Sequence, residues 1–225
     1  MITFARSDNS VMSRWWWTLD RWLLLALLLL IGVGLILTFA ASPAVAEKLG
    51  LGGFHFIKRQ IVFLGISIAT LISISMMSEV FVRRFSVVML PICLILVWTT
   101  LFVGQEIKGS TRWLHFGGFT LQPSEFLKPA FIVTTSWMFA EEFKNPLFPG
   151  KKIALALYVI VAGSLILQPD FGQTILISLV FAIQFIIAGL PLVLILSAAG
   201  LGIIALAGAY LLVPHVQSRI DIFID

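Results

Sequence analysis

The residues best suited to chemistry in this sequence lie in one charged stretch, residues 104–130, between two strongly apolar runs. The charged side chains of this stretch are Glu106, Lys108, Arg112, Glu125 and Lys128, in a chain that is only 12% charged. Glu125 and Lys128 fall where an apolar helix is already under way, and charges at that depth are costly, so they need an ionic partner, a water-filled cavity or a function. Cationic side chains bind phosphates, and carboxylates accept protons. The stretch therefore predicts a polar cavity for an anionic, membrane-borne substrate.

The second half of the stretch predicts the start of a helix. In Gln122-Pro123-Ser124-Glu125 the proline suits the first helical position, and Glu125 falls in the first turn, where the helix dipole favours an anion. Lys128 follows three residues later, so both charges project from one helical face. The alternative interpretation is an ion pair that satisfies itself while its lysine reaches toward the membrane interface.

Arg112 and Trp113 precede this helix. Residues 110–121, STRWLHFGGFTL, mix polar and large apolar groups, which favours a segment lying at the membrane surface over one that crosses it. An arginine in such a segment can contact a phosphate with two parallel hydrogen bonds. The alternative interpretation is a lipid-headgroup anchor.

A second polar break, Gln168-Pro169-Asp170-Phe171-Gly172, comes directly after an apolar run. Such a break exposes helix ends that help to bind an ion or a phosphate. A plain tight turn between two helices is an equally good interpretation of Asp170. Gln173 and Gln184 follow, and we expect them to form interhelical hydrogen bonds.

Composition limits the class of protein. The 225 residues are 60% hydrophobic and the mean hydropathy is +1.06, which indicates an integral membrane protein. The chain has a single cysteine, Cys93, which excludes a disulfide framework. Its three histidines are far apart in the sequence and show no metal-ligand spacing. The net charge of +4 indicates contact with anionic lipid headgroups and no nucleic acid. The first apolar run is too long for a cleavable signal peptide, so we expect it to be the first span.

We predict an all-α fold, a polytopic membrane bundle with seven spans, since roughly 20 apolar residues cross the hydrocarbon. The predicted spans cover residues 22–41, 61–77, 85–103, 123–139, 153–167, 174–189 and 191–213. The predicted divisions are a cytoplasmic tail over residues 1–21, the bundle over 22–213, and the start of a large periplasmic loop over 214–225.

The tail holds Trp15, Trp16 and Trp17, a cluster typical of an interfacial anchor, with a partner-binding patch as the alternative. With the N-terminus inside, the inner segments carry eight basic residues and the outer segments six, so the positive-inside rule favours that orientation. The central stretch and the break at residues 168–172 then both face outward. From the residues alone, a transporter, an intramembrane enzyme and a channel all stay open.

The two motifs GSTRWLHFGGFTLQPSEFLKPA and LQPDFGQT resemble those of the SEDS family (shape, elongation, division and sporulation proteins), in order and at the family's spacing. The resemblance covers essentially the whole chain, and SRWWWTLDRWLLL is most similar to the FtsW branch of alphaproteobacteria. It implies a peptidoglycan glycosyltransferase that polymerises lipid II and releases undecaprenyl pyrophosphate. Its implied partners are a class B penicillin-binding protein, other membrane proteins of the division complex and membrane lipids. A lipid II flippase and a non-catalytic scaffold of the division complex are the alternatives.

By the same resemblance, Arg112, Glu125, Lys128 and Asp170 line a central cavity that binds the substrate. Trp113 and Gln122 belong to the motifs that shape it. The implied location is the bacterial inner membrane at the division septum, with no cofactor and with any need for a divalent cation left open.

The sequence also departs from the family pattern. Members have about ten spans of roughly 20 residues, and their catalytic carboxylate lies in the large outer loop after the seventh. Asp225 aligns with the residue before the proline of that loop motif, so we expect the general base just beyond Asp225 and no catalytic residue within the chain. We therefore expect this chain by itself to be inactive as a polymerase.

Overall fold

The computed structural model describes residues 10–48, 50, 52–107, 110–116 and 119–189, and the single residues 193, 197, 200, 202, 204, 208 and 211. The described residues form seven α-helices and three short strands. They divide into two compact units, Met1–Ser78 and Glu79–Asp225. The predicted class, a helical membrane bundle, is confirmed.

The first unit contains three helices, each begun by a local polar contact or a turn. They are α1 (Val11–Thr18), α2 (Arg21–Lys48) and α3 (His55–Ser75). The side chain of Ser10 accepts a hydrogen bond from the amide of Ser13 and caps α1. The carboxylate of Asp20 accepts hydrogen bonds from the amides of Trp22 at 2.9 Å and Leu23 at 3.2 Å, so it holds the start of α2.

The tryptophan cluster lies on α1. Trp15 Nε1 donates a hydrogen bond of 2.9 Å to Ser75 Oγ at the end of α3, which brings the tail and that end of α3 to the same side of the unit. Trp16 and Trp17 are exposed, and the Arg21 guanidinium lies 5.4 Å from the centroid of the Trp17 ring. This cation–π contact places the arginine charge beside the indole ring of Trp17, an arrangement that suits the predicted interfacial anchor.

The second unit carries every predicted site residue. Its elements are α4 (Glu79–Val103), β1 (Gln105–Ile107), β2 (Ser110–Phe116), β3 (Phe119–Leu121), α5 (Pro123–Lys144), α6 (Gly150–Leu167) and α7 (Phe171–Ile187). The strands form an antiparallel sheet in the order β1-β2-β3, with Leu114 opposite Leu121. Residues 110–121 were predicted to lie at the membrane surface, and the strands were not foreseen. Strand pairing satisfies backbone groups that a chain near lipid cannot leave open.

The core of this unit lies between α4, α5, α6 and α7. Its buried members are Leu90, Cys93, Val97, Leu127, Ala130, Phe131, Phe139, Ala154, Val161, Leu165, Ile177 and Phe181. Phe181 is central: it stacks on Tyr158 with ring centroids 4.6 Å apart and meets Phe131 at 5.7 Å. Aromatic packing of this kind adds to simple area burial, so the core holds α5, α6 and α7 in one arrangement.

The helices extend beyond the predicted spans. Helix α2 continues through Pro43 to Lys48, α4 begins at Glu79, and α5 continues to Lys144, although those residues were assigned to loops. Hydropathy marks only the part of a helix that suits hydrocarbon, whereas the backbone hydrogen bonds continue into polar residues. The 28 residues of α2 span about 42 Å at 1.5 Å per residue, more than the hydrocarbon thickness.

Four helices of the described chain are long and apolar enough to cross a membrane: Arg21–Lys48, Phe56–Ser75, Glu79–Val103 and Gly150–Leu167. Helix α7 is apolar but only 17 residues long. Helix α5 is outside this group because charges near both ends and the hydroxyls of Thr134, Thr135 and Ser136 lower its hydropathy. Most of the predicted seventh span, 191–213, lies outside the described residues, as do residues 1–9 of the predicted tail and all of 214–225.

Candidate functional site

Arg112 and Asp170 form an ion pair between strand β2 and the start of α7. Arg112 Nη1 lies 3.0 Å from Asp170 Oδ1, and Arg112 Nε donates a hydrogen bond of 2.7 Å to Ser110 Oγ. The Asp170 side chain is only 3% exposed, and that of Arg112 is 24% exposed. A carboxylate so deeply buried needs its cation, because an unpaired charge there would lack solvation.

This pair leaves groups that have no partner among the described residues. Asp170 Oδ2 is buried and accepts no hydrogen bond from a described residue. Arg112 Nη2 donates no hydrogen bond to a described side chain. A guanidinium carries five N–H donors and binds phosphate in a planar fork. Arg112 is therefore held on one edge by Ser110 and Asp170, and the donors of its Nη2 are not used by any described residue.

A second ion pair lies at the start of α5. Lys128 Nζ is 2.7 Å from Glu125 Oε2, and Gln173 Nε2 of α7 donates a hydrogen bond of 2.7 Å to Glu125 Oε1. The lysine side chain is 16% exposed and the glutamate side chain 47%. Glu125 and Lys128 project from one face of α5 as predicted, and Gln173 reaches the glutamate from the neighbouring helix α7. The prediction that Gln173 is an interhelical hydrogen bonder is confirmed.

The other two predicted residues, Gln122 and Trp113, precede α5 in the chain, and their side chains take no part in either ion pair. Gln122 is the residue before α5, and its Nε2 donates a hydrogen bond of 3.1 Å to Ser124 Oγ. Trp113 lies on β2 opposite Gln105 and is half-buried. Within the described residues, neither side chain has a polar contact with Arg112, Glu125, Lys128 or Asp170.

The two ion pairs meet at α7. Asp170 is the N-cap residue of that helix and Gln173 lies in its first turn. Helix α5 contacts both β2 and α7. The α7 N-terminus thus holds the anionic partners of two cations that come from different elements, and the site is built around that helix end.

Sequence reasoning named Gln168 only as part of the break and missed its contacts. The Gln168 side chain is fully buried, and its Nε2 donates hydrogen bonds to Val97 O at 2.9 Å and to Thr100 Oγ1. The signal was present in the sequence, because an amide at the end of an apolar run must find hydrogen-bond partners when it is buried. The partners on α4 were not predictable from it.

The predicted interhelical role of Gln184 is confirmed. Its Nε2 donates to Ile132 O at 3.0 Å and to Ser136 Oγ at 2.8 Å, and its Oε1 accepts from Thr135 Oγ1 at 2.8 Å. This second contact of α5 with α7 is three helical turns from Gln173, about 16 Å along the helix. Between the two contacts the α5–α7 seam is apolar, with Phe131 against Phe181.

A cavity of about 760 Å³ lies at the opposite end of α5 from the ion pairs. Its lining includes Glu142, Lys151, Gln184 and Gly189. It is therefore distinct from the predicted substrate cavity at Arg112 and Lys128. Among the described residues, no group of three or more His, Cys, Asp or Glu side chains is arranged to hold a metal ion.

Known proteins match this chain over nearly its whole length. The family model of the FtsW, RodA and SpoVE proteins, described as "Cell cycle protein", matches residues 21–225. A protein of Caulobacter vibrioides named "Probable peptidoglycan glycosyltransferase FtsW" is 43% identical over 223 residues, which are 99% of this chain and 57% of that protein. A protein of the same name from Trichlorobacter lovleyi is 31% identical over 206 residues, 89% of this chain and 53% of its own length.

Two solved structures share the fold. A chain from a study of polymerization and crosslinking by a peptidoglycan synthase complex has a TM-score of 0.59 at 23% identity, over 85% of this chain and 58% of that chain. The crystal structure of the Thermus thermophilus rod shape determining protein RodA has a TM-score of 0.53 at 25% identity, over 75% of this chain and 58% of that chain. The present chain thus spans little more than half the length of the relatives it matches.

Proposed function

The chain belongs to the SEDS family of FtsW, RodA and SpoVE proteins, and from that membership we propose that it serves peptidoglycan glycosyl transfer. In this proposal it holds lipid II while the glycan strand grows and undecaprenyl pyrophosphate leaves. The chain is a multi-pass membrane protein, as a lipid-linked substrate requires. The names of the Caulobacter and Trichlorobacter relatives support the reaction class.

One observation carries the proposal: two cations from different elements are each held by a carboxylate anchored at the α7 N-terminus. Arg112 is fixed by Asp170, and Lys128 is fixed by Glu125 with help from Gln173. A pyrophosphate gains negative charge as it leaves a sugar, so preorganised cations stabilise that transition state. Because both cations already have fixed positions, little reorganisation is needed when the charge develops.

In the proposed reaction, a hydroxyl of one sugar attacks the anomeric carbon of the lipid-linked sugar. The new glycosidic bond forms as the bond to the pyrophosphate breaks, and the electron pair leaves with undecaprenyl pyrophosphate. The hydroxyl proton passes to a carboxylate general base. By the family resemblance that base is none of the four charged residues described above, and in this proposal Arg112, Lys128, Glu125 and Asp170 supply the substrate-holding part of the site.

Location and partners are part of the proposal. The Trp15–Ser75 contact places the N-terminal helix and the end of α3 on one side of the first unit, and the count of basic residues favours the inner face for that side. We infer a periplasmic site, action at the division septum and a class B penicillin-binding protein as the transpeptidase partner. The synthase complex among the structural neighbours supports a partner of that kind.

A lipid II translocase is the competing function, and the α5–α7 seam does not favour it. A headgroup that crosses along this seam would meet Phe131, Phe181, Leu127 and Ile177, all buried and apolar. A polar headgroup pays a high cost for such surroundings. Polymerisation at one end of the bundle needs no such path.

The direct test uses the complete gene product that carries this chain, reconstituted with purified lipid II. We expect glycan strands to form in the presence of the cognate penicillin-binding protein, and no transfer of lipid II between the leaflets of vesicles that contain the protein alone. An absence of glycan with and without the partner would refute the glycosyltransferase. Transfer of lipid II without polymerisation would establish the translocase. If the protein shows neither transfer nor polymerisation, the scaffold role is the hypothesis that stands.

A further inference from the structure

The junction between α6 and α7 sends three polar side chains to three different neighbours. Gln168 contacts α4, Asp170 contacts β2 through Arg112, and Gln173 contacts α5 through Glu125. Two of these contacts belong to the ion pairs of the candidate site. The first belongs to neither and has no assigned role.

The contact of Gln168 has a defined direction. Thr100 Oγ1 donates its only proton to Val97 O at 2.7 Å, so its oxygen is free to accept from the Gln168 amide. Gln168 Nε2 donates both to that oxygen and to Val97 O. Because α4 residues 97 and 100 are fully buried, this contact cannot be exchanged for one with water.

The backbone transmits this anchor to the site. The amides of Gln168 and Asp170 both donate to Leu165 O, at 3.2 Å and 3.0 Å. Asp170 O in turn accepts from the amide and the hydroxyl of Thr174 in α7, at 3.0 Å and 2.9 Å. Only one residue separates Gln168 from Asp170, so a shift of the Gln168 side chain moves the carboxylate that fixes Arg112.

We propose that Gln168 is a positioning residue that sets the Asp170–Arg112 pair by fastening the α6–α7 junction to α4. It touches neither cation, and its effect on glycosyl transfer passes through Asp170. The kinetic part of this inference rests on the proposed function. The structural part, that Gln168 holds Asp170 in place, stands independently of it.

Gln184 provides the matched control. It is also an amide between helices, with three hydrogen bonds between α5 and α7, and it lies far from the junction. A purely structural role for Gln168 predicts the same consequences at both positions. A positioning role predicts effects at the site for Gln168 alone.

The first experiment compares Gln168→Met with Gln184→Met in the complete gene product, since methionine keeps the length and removes the donors. Hydrogen exchange is measured in each for the amides of Asp170 and Thr174, which donate to Leu165 O and Asp170 O at the junction. We expect about tenfold faster exchange in Gln168→Met and unchanged exchange in Gln184→Met, because a factor of ten corresponds to the loss of about one hydrogen bond. Equal exchange in the two variants would overturn the proposal.

The second experiment measures kcat and KM for polymerisation of lipid II. We expect Gln168→Met to lower kcat about 10- to 100-fold, as for a displaced catalytic geometry, with little change in KM, and Gln184→Met to stay within about twofold of the wild type. In an Asp170→Asn background, Gln168→Met should have almost no further effect, since it acts through that carboxylate. Additive effects would overturn the proposal.

The two experiments fail separately. If the wild-type protein forms no glycan, the proposed function fails while the hydrogen-exchange comparison still decides whether Gln168 holds the junction. If glycan forms and the exchange and kinetics of the two methionine variants agree, the positioning role is wrong and the proposed function stands.

Discussion

The burial of Asp170 leads to a quantitative prediction for the variant Asp170→Asn. Asparagine keeps the shape and suits the start of a helix, but it removes the charge that faces Arg112 at 3.0 Å. Removing one partner of a buried ion pair costs roughly 3–5 kcal/mol. Because the Arg112 side chain is 24% exposed, solvation reduces the penalty, and we expect a loss of about 2–3 kcal/mol in the free energy of unfolding.

Glu125→Gln is the matched control, since it neutralises the other carboxylate of the site. The Glu125 side chain is 47% exposed, and exposed pairs contribute only about 0.2–1 kcal/mol. Both variants and the wild type would be purified in a mild detergent, and unfolding would be followed as a denaturing detergent is added in steps. The difference between the two variants isolates the effect of burial.

A double variant tests the physical cause. If the cost of Asp170→Asn arises from an unpaired guanidinium, then Arg112→Gln combined with Asp170→Asn should be at least about 1 kcal/mol more stable than the sum of the single effects predicts. Additivity of the two substitutions, or a loss for Asp170→Asn no greater than for Glu125→Gln, would refute the assignment of a buried pair.

Two further predictions concern the helical core. Gly150→Ala should lower the free energy of unfolding by about 1–3 kcal/mol, because the added Cβ would lie 2.1 Å from Met138 O. Gly163→Ala meets open space and should stabilise α6 by about 0.5–1 kcal/mol. The same detergent titration compares the two variants, and equal effects would contradict the close approach at Gly150. Phe181→Ala should cost about 3–5 kcal/mol, since its ring packs on Tyr158 and Phe131, and an insensitive midpoint would contradict the aromatic core.

The elements of the fold were predictable to different degrees. Long apolar runs identified the helices, because a span of hydrocarbon requires them. Helix ends were not predictable in the same way: Pro43 and Glu47 read as a loop yet lie in α2. The strands were missed because residues 110–121 show no clear alternation, and their pairing depends on a register that composition does not specify.

For the site, the sequence indicated which residues take part but not which of the distant residues contact each other. Glu125 and Lys128 are three residues apart on one helix, so their contact followed from local geometry. Arg112 and Asp170 were each predicted as site residues, but 58 positions separate them and their pairing depends on how β2 meets α7. The role of Gln168 required its partners on α4 for the same reason. Types of residue were therefore visible in the sequence, while long-range partners were visible only in the folded chain.

The central claim is that Lys128 and Arg112 hold the pyrophosphate of the substrate, and Lys128→Ala tests it most directly. Lys151→Ala is the control, because Lys151 also pairs with a glutamate, Glu142 at 3.7 Å, but at the opposite end of α5. In the complete gene product with its partner and purified lipid II, we expect Lys128→Ala to slow polymerisation about 100-fold or more and Lys151→Ala to stay within about twofold. Equal polymerisation rates for the two variants would contradict the account.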